Sequence, residues 1–280
     1  MKCPELLAPA GTRENLEIAI RYGADAVYQG LEGFSLRRAK KAETSLESMA
    51  QSIQWVHQQG KRYYLAINIL AHEKDINALR PLLPQLVELN VDAVIIADPG
   101  IIRMIRASGW RVPIHLSTQG TVTNHEAVSF WREQGVERII LGRELSKDEL
   151  HSIRSACPDT ELEIFVHGAM CMAYSVRCHL SHYTLGRDSN RGQCAQVCRW
   201  KFDVEKDGRS TSIDIEEDER GTYLLNAKDL CLAPVVSALM GLDCLKIEGR
   251  NKTSYYAGNV VRVYRLILDF IVKNGQQAKI

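Results

Sequence analysis

Half of the eight cysteines in this 280-residue chain fall within 28 residues: Cys171, Cys178, Cys194 and Cys198. Their spacings are C-x6-C, C-x15-C and C-x3-C. Four thiolates on one segment suit a soft metal or an iron–sulfur cluster. Structural zinc more often uses two tight C-x2–4-C pairs, and only Cys194 and Cys198 fit that spacing. The pattern predicts a metal centre and favours iron–sulfur over zinc.

Disulfide bonds and inert thiols are the alternative interpretations of the cysteines. Disulfides need an oxidising compartment, and the N-terminal run MKCPELLAPAG contains no apolar stretch of signal-peptide length. Cys3, Cys157 and Cys244 stand singly in apolar surroundings, which is typical of buried structural cysteines. Cys231 lies 33 positions after Cys198 and is an alternative fourth ligand. We therefore expect reduced thiols and a cytoplasmic protein.

Composition and charge exclude several function classes. The chain is 45% hydrophobic and 25% charged, which allows a large core. A net charge of +1 gives no global attraction to nucleic acid or membrane, so a polyanion would need a local patch. No stretch approaches 18 uninterrupted apolar residues, and no G-x-G-x-x-G or Walker motif is present. Neither a membrane span nor a nucleotide site is expected.

Short apolar runs alternate with amphipathic segments along the chain. Buried parallel strands are predicted at 5–8, 26–29, 63–68, 93–97, 112–116, 138–141, 162–166 and 244–247. Helices are predicted between most of them, for instance at 15–22, 46–59, 76–89 and 147–155. The echo of GADAV, NVDAV, GVERI and GLDCL repeats a helix end followed by a strand start. This alternation predicts an α/β fold, a (β/α)8 TIM-like barrel, with an open or irregular barrel as the alternative.

One long connection interrupts the alternation between strands 7 and 8. Residues 1–167 would supply strands 1–7, residues 168–223 a cysteine-rich insertion, and residues 224–280 strand 8 and the last helix. After the cysteines, the insertion predicts a hairpin of FDVEKDG and GTYLLN around the acidic tract DIEEDER, itself expected to be a solvated loop. Helices are predicted at 230–240 and 254–272.

In such barrels the chemistry lies at the C-terminal ends of the strands. The residues there are Gln29, Asn68, Asp98, Ser117, Gln119, Arg143, Glu144, His167, Glu248 and Arg250. Two arginines in this polar ring predict a small anionic or carboxylate-bearing ligand. Asn68 and Asp98 fit helix or loop caps equally well, and His167 fits a structural histidine at least as well as a catalytic one.

Basic residues form two further groups near this face. They are Arg37, Arg38, Lys40 and Lys41 after strand 2, and Arg187, Arg191, Arg199 and Lys201 around the cysteines. Together they could line an anionic groove for nucleic acid, although solvated basic loops are slightly favoured.

The stretch EIFVHGAMCMAYSVRCHLS, with RGQCAQVCRW and DCLKIEGR after it, resembles the peptidase U-32 family, also called collagenase-like peptidases. The resemblance runs from LLAPAG through GADAVY and HLSTQ to the helix after LKIEGR, so it covers nearly the whole chain. It implies an iron–sulfur protein that catalyses oxygen-independent hydroxylation with prephenate as the hydroxyl source. The acceptors in the family are the tRNA wobble uridine, an rRNA cytidine and the ubiquinone ring.

Carried over by position, the resemblance implies a 4Fe–4S cluster on Cys171, Cys178 and Cys194, with Cys198 favoured over Cys231 as the fourth ligand. We expect the catalytic residues to be Arg143, His167, Glu248 and Arg250. We expect the substrate-binding residues to be Asn68, Gln119, Arg177, Arg191 and Arg199. Arg143 and Arg250 would clamp the carboxylates of prephenate, as inferred from their charge and placement.

The favoured function is an iron–sulfur RNA hydroxylase, because CAQ-x-CRW with Arg191 and Arg199 matches the RNA-acting branch. A collagenase-like peptidase, a ubiquinone-ring hydroxylation subunit and a zinc-stabilised binding module are the alternatives. The peptidase has little support, since neither H-E-x-x-H nor G-x-S-x-G occurs. RNA-modifying relatives commonly carry a further C-terminal domain, so we expect either a short form or a trimmed chain. A homo- or hetero-oligomer stays open.

Overall fold

The computed structural model describes residues 3–36, 45–200, 217–218, 221–222 and 225–275. Eight parallel strands form a barrel: β1 Glu5–Pro9, β2 Ala26–Gly30, β3 Arg62–Ile67, β4 Ala93–Ile96, β5 Ile114–Leu116, β6 Arg138–Ile140, β7 Glu161–Gly168 and β11 Cys244–Ile247. Each strand pairs with two neighbours, and β7 pairs with both β6 and β11, which closes the sheet. The (β/α)8 prediction is confirmed, and the open-barrel alternative is wrong.

Helices follow the strands around the outside of the barrel. The α-helices are α1 Arg13–Arg21, α2 Leu46–Gln58, α3 Glu73–Leu79, α4 Leu83–Glu88, α5 Pro99–Ala107, α6 His125–Glu133, α7 Lys147–Ala156, α8 Leu180–Leu185 and α9 Ser254–Asn274. Side-chain caps start several of them: the Thr12, Asn124 and Ser146 oxygens accept backbone N–H bonds at the first turn. None of the helices in the described ranges is long and apolar enough to span a membrane.

Alternating side chains of the strands build two separate cores. Outward residues such as Leu6 and Val27 pack against the helices in one large cluster. Inward residues such as Tyr28, Tyr64 and Ile95 form a second cluster inside the barrel. A period of two along each strand produces this division, and it sends the side chains at the strand ends to the barrel mouth.

Two predicted helices differ from the structure because of prolines. The predicted helix 76–89 is divided into α3, a 3-10 turn Arg80–Leu82 and α4, since Pro81 and Pro84 cannot donate the helical hydrogen bond. The predicted helix 230–240 is wrong. It is the short strand β10 Leu230–Cys231, antiparallel to β7, followed by the 3-10 helix Ala233–Leu239. Pro234 disfavours α-helical backbone at the preceding residue.

The predicted hairpin around the acidic tract lies mostly outside the described residues. Within the described part, β8 Glu217–Asp218 and β9 Gly221–Thr222 pair antiparallel. Residues Glu217 and Asp218 belong to DIEEDER, so at least these two are strand and not loop. The cysteine insertion before residue 200 consists of α8 and three 3-10 helices: Tyr174–Val176, Ser189–Arg191 and Val197–Arg199. We call residues 169–200 the cysteine loop.

Candidate functional site

A pocket opens where the parallel strands end, at the face of the barrel that the sequence predicts. Its wall includes Asn68, Gln119, Arg143, Glu248 and Arg250, five of the predicted site residues. The empty space is about 490 Å³ including the open mouth, and little of it is enclosed. A ligand larger than a few waters would therefore have to displace part of the wall.

Neutral polar groups make one side of the pocket. The Ser117 hydroxyl donates to Gln119 Oε1 at 2.5 Å, and Gln119 Nε2 donates to the Asn68 carbonyl at 2.7 Å. Asn68 Oδ1 in turn accepts from the Ser35 hydroxyl at 3.2 Å. All four residues are buried, so these bonds satisfy groups that would otherwise be costly to bury. The network fixes the wall before any ligand binds.

Three cations stand around the same pocket. Arg143 Nη1 donates to the Ala169 carbonyl at 2.9 Å, and its guanidinium lies 4.1 Å from the Phe165 ring centre. Arg250 Nη1 donates to Ser35 Oγ at 2.5 Å. Lys246 Nζ lies 4.4 Å from the Tyr28 ring centre. The three cations share the pocket wall with one carboxylate, Glu248, so the wall has more positive than negative groups, which suits a site for an anion.

Gly30 lets Arg250 approach the end of β2. A Cβ atom at Gly30 would lie 2.6 Å from Arg250 Nη1 and closer still to Ser35 Oγ. Only glycine leaves that space, since real Cβ atoms do not come so near to other heavy atoms. The glycine at the strand end is thus part of how the arginine is positioned.

The Tyr28 hydroxyl lies within the same charged group. It donates to the Ile247 carbonyl at 3.0 Å and is fully buried beneath the pocket. Burial raises the pKa of Tyr28, Glu248 raises it further, and Arg250 and Arg143 lower it. Tyr28 therefore stays a neutral phenol. Glu248, Arg143 and Arg250 act on its pKa because they lie in the same pocket wall as the Tyr28 ring.

Sequence reasoning missed Lys246, Tyr28 and Phe165. Lys246 is 2% exposed and donates to Glu163 Oε1 at 2.8 Å below the pocket. Burial lowers the pKa of Lys246, and the nearby Glu163 opposes that shift. The sequence does contain a signal for Lys246, which interrupts the apolar run CLKI. Because side chains alternate along a strand, Lys246 points to the same side as Glu248, two residues later.

Hydrogen bonds fix the cysteine loop to the barrel. Arg191 pairs with both carboxylate oxygens of Asp75 on α3, at 2.7 and 2.6 Å. This hydrogen bond lowers the pKa of Asp75 and raises that of Arg191. Asn190 exchanges two bonds of 3.1 Å with the backbone of Cys178. Arg191, predicted to bind substrate, is thus placed as an anchor of the loop.

The four predicted cluster cysteines are all half-buried, and none of them forms a disulfide within the described residues. Backbone N–H groups point at two of the sulfurs: Leu180 N at 3.3 Å from Cys178 Sγ and Gln196 N at 3.4 Å from Cys194 Sγ. Burial raises the pKa of Cys198, and the other three thiols raise it further. Thiolates that lie near one another repel, and a metal cation bound among them relieves that repulsion.

The donor set of the cysteine loop fits a soft metal group. Thiolates and amide donors to sulfur are the ligands and supporting bonds of iron–sulfur sites. Over the described ranges, no three Cys, His, Asp or Glu side chains are close enough together to hold one metal ion. Cys231 is exposed and lies elsewhere, opposite His167 in the β10–β7 pairing and beside the Tyr264 hydroxyl.

The segment from residue 175 to 178 connects the cysteines to the pocket. Ser175 Oγ donates to Glu144, Arg177 Nε donates to the Gln119 carbonyl at 2.8 Å, and Val176 lies in the pocket wall. Ser175 and Val176 have φ values of 46° and 66°, in the left-handed region that a β-branched residue rarely adopts. Strain of this kind is typical of functional segments.

Several predicted site residues lie apart from the pocket. His167 contacts Tyr256 and Tyr264 of α9, and burial lowers its pKa. Arg199 lies 3.5 Å from Asp229 at the surface. Asp98 caps α5 and accepts the Ala71 N–H. The basic residues Arg37, Arg38, Lys40, Lys41 and Lys201 lie outside the described residues.

A closed (β/α)8 barrel with a polar mouth and a four-cysteine loop defines a class of candidate enzymes, and sequence comparison specifies it. Residues 11–280 match the family model of peptidase family U32. The tRNA hydroxylation protein P1 of Bacillus subtilis (strain 168) is 41% identical over 96% of this chain. The tRNA hydroxylation protein P of Escherichia coli (strain K12) is 39% identical over 95% of this chain and 68% of its own length. The chain belongs to peptidase family U32.

Relatives in this family carry different names. A 23S rRNA 5-hydroxycytidine synthase of Escherichia coli (strain K12) is 35% identical over 96% of this chain and 40% of its own length. The chain spans 64% of the length of the Bacillus subtilis relative. A solved U32 peptidase structure superposes with a TM-score of 0.57 at 13% identity, covering 89% of this chain and 95% of that one. That likeness supports the fold alone.

Proposed function

We propose that this chain hydroxylates an RNA base without oxygen, using a 4Fe–4S cluster on the cysteine loop and prephenate as hydroxyl donor in the barrel pocket. The acceptor would be a tRNA wobble uridine or an rRNA cytidine. The observation that carries the proposal is the direct connection, through residues 175–178, between the four-cysteine loop and a pocket ringed by cations. Relatives named for tRNA and rRNA hydroxylation support RNA as the acceptor.

The pocket supports a small dicarboxylate as the co-substrate. Arg143 and Arg250 would each donate to a carboxylate, with Lys246 adding positive charge beneath. Gln119 and Ser117 offer amide and hydroxyl groups on the other side, suited to a hydroxyl or keto oxygen. The roles of Arg143 and Arg250 as clamps follow from this charge. Glu248 would orient Arg250, which lies in the same pocket wall. It would also orient Tyr28, whose pKa it raises.

The cysteine loop supports the cofactor. Cys171, Cys178, Cys194 and Cys198 would hold the cluster, which when bound supplies redox or Lewis-acid chemistry. In a cubane each thiolate binds a different iron, so its ligands stand further apart than those of one ion. The C-x6-C and C-x15-C spacings of the loop also differ from the two tight C-x2–4-C pairs usual for structural zinc. Cys198 is favoured as the fourth ligand because only three residues separate it from Cys194 on the same loop, whereas Cys231 is exposed on β10, opposite His167.

A peptidase is the second candidate function, because some relatives carry protease names. One is a collagenase of Porphyromonas gingivalis (strain ATCC BAA-308 / W83), at 31% identity. Proteolysis by a side-chain nucleophile would need a general base beside it. No histidine is among the described residues of the pocket wall, and Lys246 there is bound to Glu163. The hydroxyls of Ser117 and Thr118 thus have no histidine base in that wall, which favours hydroxylation.

Iron and acid-labile sulfide in protein purified without oxygen test the cofactor. We expect about four of each per chain, the content of a four-cysteine cubane. Cys178→Ser and Cys198→Ser should lose most of the iron, and Cys231→Ser, the matched control, should retain it. Zinc or no metal after anaerobic reconstitution would overturn the cofactor. Loss of iron in Cys231→Ser but not in Cys198→Ser would show that Cys231, and not Cys198, is the fourth ligand.

A second measurement tests the reaction itself. The chain is expressed in a bacterial strain that lacks its own tRNA and rRNA hydroxylases, and hydroxylated uridine and cytidine are quantified by mass spectrometry. We expect one of the two nucleosides to return with the native chain and not with Cys178→Ser. A native chain that retains its iron but restores neither nucleoside would contradict RNA hydroxylation and leave the cofactor assignment standing.

A further inference from the structure

The cysteine loop carries a concentration of exposed apolar side chains. Among the described residues, five of the fourteen exposed large hydrophobic side chains lie in it: Met172, Tyr174, Tyr183, Leu185 and Trp200. Tyr183 is 90% exposed, the highest value of the fourteen. Soluble proteins seldom expose such patches unless a partner covers them, so the concentration indicates an interaction surface.

The rings of this surface stand on a backbone that is held in place. Helix α8, which carries Tyr183, packs against the 3-10 helix Val197–Arg199 that precedes Trp200. Ser181 Oγ accepts the Ala195 N–H at 3.1 Å, and Trp200 N donates to the carbonyl of buried Val197 at 2.9 Å. A fixed scaffold loses little conformational entropy when a ligand contacts the rings.

The charge of the cysteine loop selects the kind of partner. Residues 169–200 contain four arginines and one aspartate, with no lysine or glutamate. Two of these arginines, Arg191 and Arg199, pair with Asp75 and Asp229 outside the loop. Arg187 is exposed, and its backbone N–H is bound to Ser181. A loop that carries both exposed flat rings and an exposed guanidinium offers stacking for bases and a contact for phosphates. This complementarity favours a polynucleotide over a protein.

We propose that the outer face of the cysteine loop binds single-stranded RNA, with bases stacked on Tyr183 and Trp200 and phosphates held by Arg187. The inference deepens the proposed function and rests on it. Val176 of the same loop lies in the pocket wall, so the segment that carries this face also forms part of the pocket. Bases in a duplex are already stacked on one another, so the target must lie in an unpaired segment.

Binding of a fluorescent RNA hairpin tests the surface. The probe is a short stem with a single-stranded loop, compared with the same stem closed as a full duplex, at fixed ionic strength and without oxygen. Tyr183→Ala and Trp200→Ala should each weaken hairpin binding about 5- to 150-fold, the range for losing one stacked base. Tyr183→Phe keeps the ring and should bind like the native chain.

Tyr22→Ala is the matched control, because Tyr22 is 48% exposed at the end of α1, on the opposite face of the barrel. It should leave hairpin binding unchanged. Native chain that binds the hairpin, with Tyr183→Ala and Trp200→Ala indistinguishable from Tyr22→Ala, would overturn this surface while leaving RNA hydroxylation standing. A native chain that binds hairpin and duplex equally, or neither, also overturns it; the nucleoside measurement then decides separately on the function.

Discussion

The two halves of the barrel interior differ in the groups that surround their buried cations. Toward the N-terminal ends of the strands, Arg138 lies 2.6 Å from Glu5 and 3.4 Å from Glu163, and Lys246 lies 2.8 Å from Glu163. At the mouth, Arg143 and Arg250 contact a carbonyl, a serine hydroxyl and aromatic rings.

The difference separates stability from binding. A buried cation is tolerated when a carboxylate compensates it, and the lower network uses its charges in that way. At the mouth, Arg143 and Arg250 share the pocket wall with one carboxylate, Glu248, so this wall keeps a positive charge that attracts an incoming anion. Lys246 stands between the two halves, since it is bound to Glu163 below and lies over the Tyr28 ring at the pocket. Four substitutions test this comparison.

The largest expected effect is in the lower half. Glu163 is fully buried and contacts both Lys246 and Arg138. Glu163→Gln leaves two buried cations with one counter-charge fewer, and should lower the free energy of unfolding by about 3–5 kcal/mol. Urea unfolding measures it. Glu248→Gln at the mouth is the control and should cost less than about 1 kcal/mol. Equal losses would contradict the division into a stabilising and a binding half.

The next effect is on ligand binding at the mouth. Arg143→Gln removes a charged donor from a half-buried position, and should weaken binding of prephenate about 10- to 100-fold, the value of a charge-assisted hydrogen bond. Calorimetric titration of the native chain and the variant measures this. Arg103→Gln changes the same charge on the exposed side of α5 and should leave the affinity unaltered. A similar loss of affinity in both variants would mean that prephenate responds to the net charge of the chain and not to the position of Arg143.

A smaller effect concerns the anchor of the cysteine loop. Arg191 holds the pKa of Asp75 below its ordinary value of 3.8. A carboxyl with a lowered folded-state pKa contributes stability above its unfolded pKa, and that stability is lost as pH falls through the folded value. Asp75→Asn should therefore lower stability by about 1 kcal/mol near neutral pH. The difference from the native chain should shrink below pH 3.8.

Unfolding midpoints measured across that pH range check the anchor. The control is Asp159→Asn, which removes an exposed carboxyl between α7 and β7 and should change stability little at any pH. A deficit in Asp75→Asn that persists unchanged at low pH would show that the aspartate acts by something other than its charge.

The sequence predicted the barrel well because each strand is a compact apolar run between a helix end and a polar mouth residue. The eighth strand of the barrel, predicted at 244–247, is β11 Cys244–Ile247. The helix predicted at 230–240 is wrong because the apolar pattern alone suits a helix. Pro234 disfavours an α-helix there, and residues 230–231 pair with β7 as a strand. Local pattern carries no information about an added antiparallel strand.

The site was predicted in part, for a similar reason. Asn68, Gln119, Arg143, Glu248 and Arg250 follow strands, so their arrival at one pocket follows from the barrel rule. His167 also follows that rule by number, but the register shift beside it, between Lys246 and Ile247, accompanies its turn toward α9. Arg191 has an anchoring role that depends on Asp75, 116 residues away. Such contacts have no signal in a single sequence.

The smallest expected effect isolates the wall that the cysteine loop gives to the pocket. Val176 and Gln196 both have left-handed backbone, with φ of 66° and 57°, but only Val176 lies in the pocket wall. Gln196→Gly should relieve strain and raise stability by up to about 1 kcal/mol without changing prephenate affinity. Val176→Gly gains the same relief but loses a half-buried apolar contact, so its stability should change less. Its affinity should fall a few-fold, because the cavity loses part of one side. Equal affinities in the two variants would mean that the loop only covers the barrel and does not shape what the mouth binds.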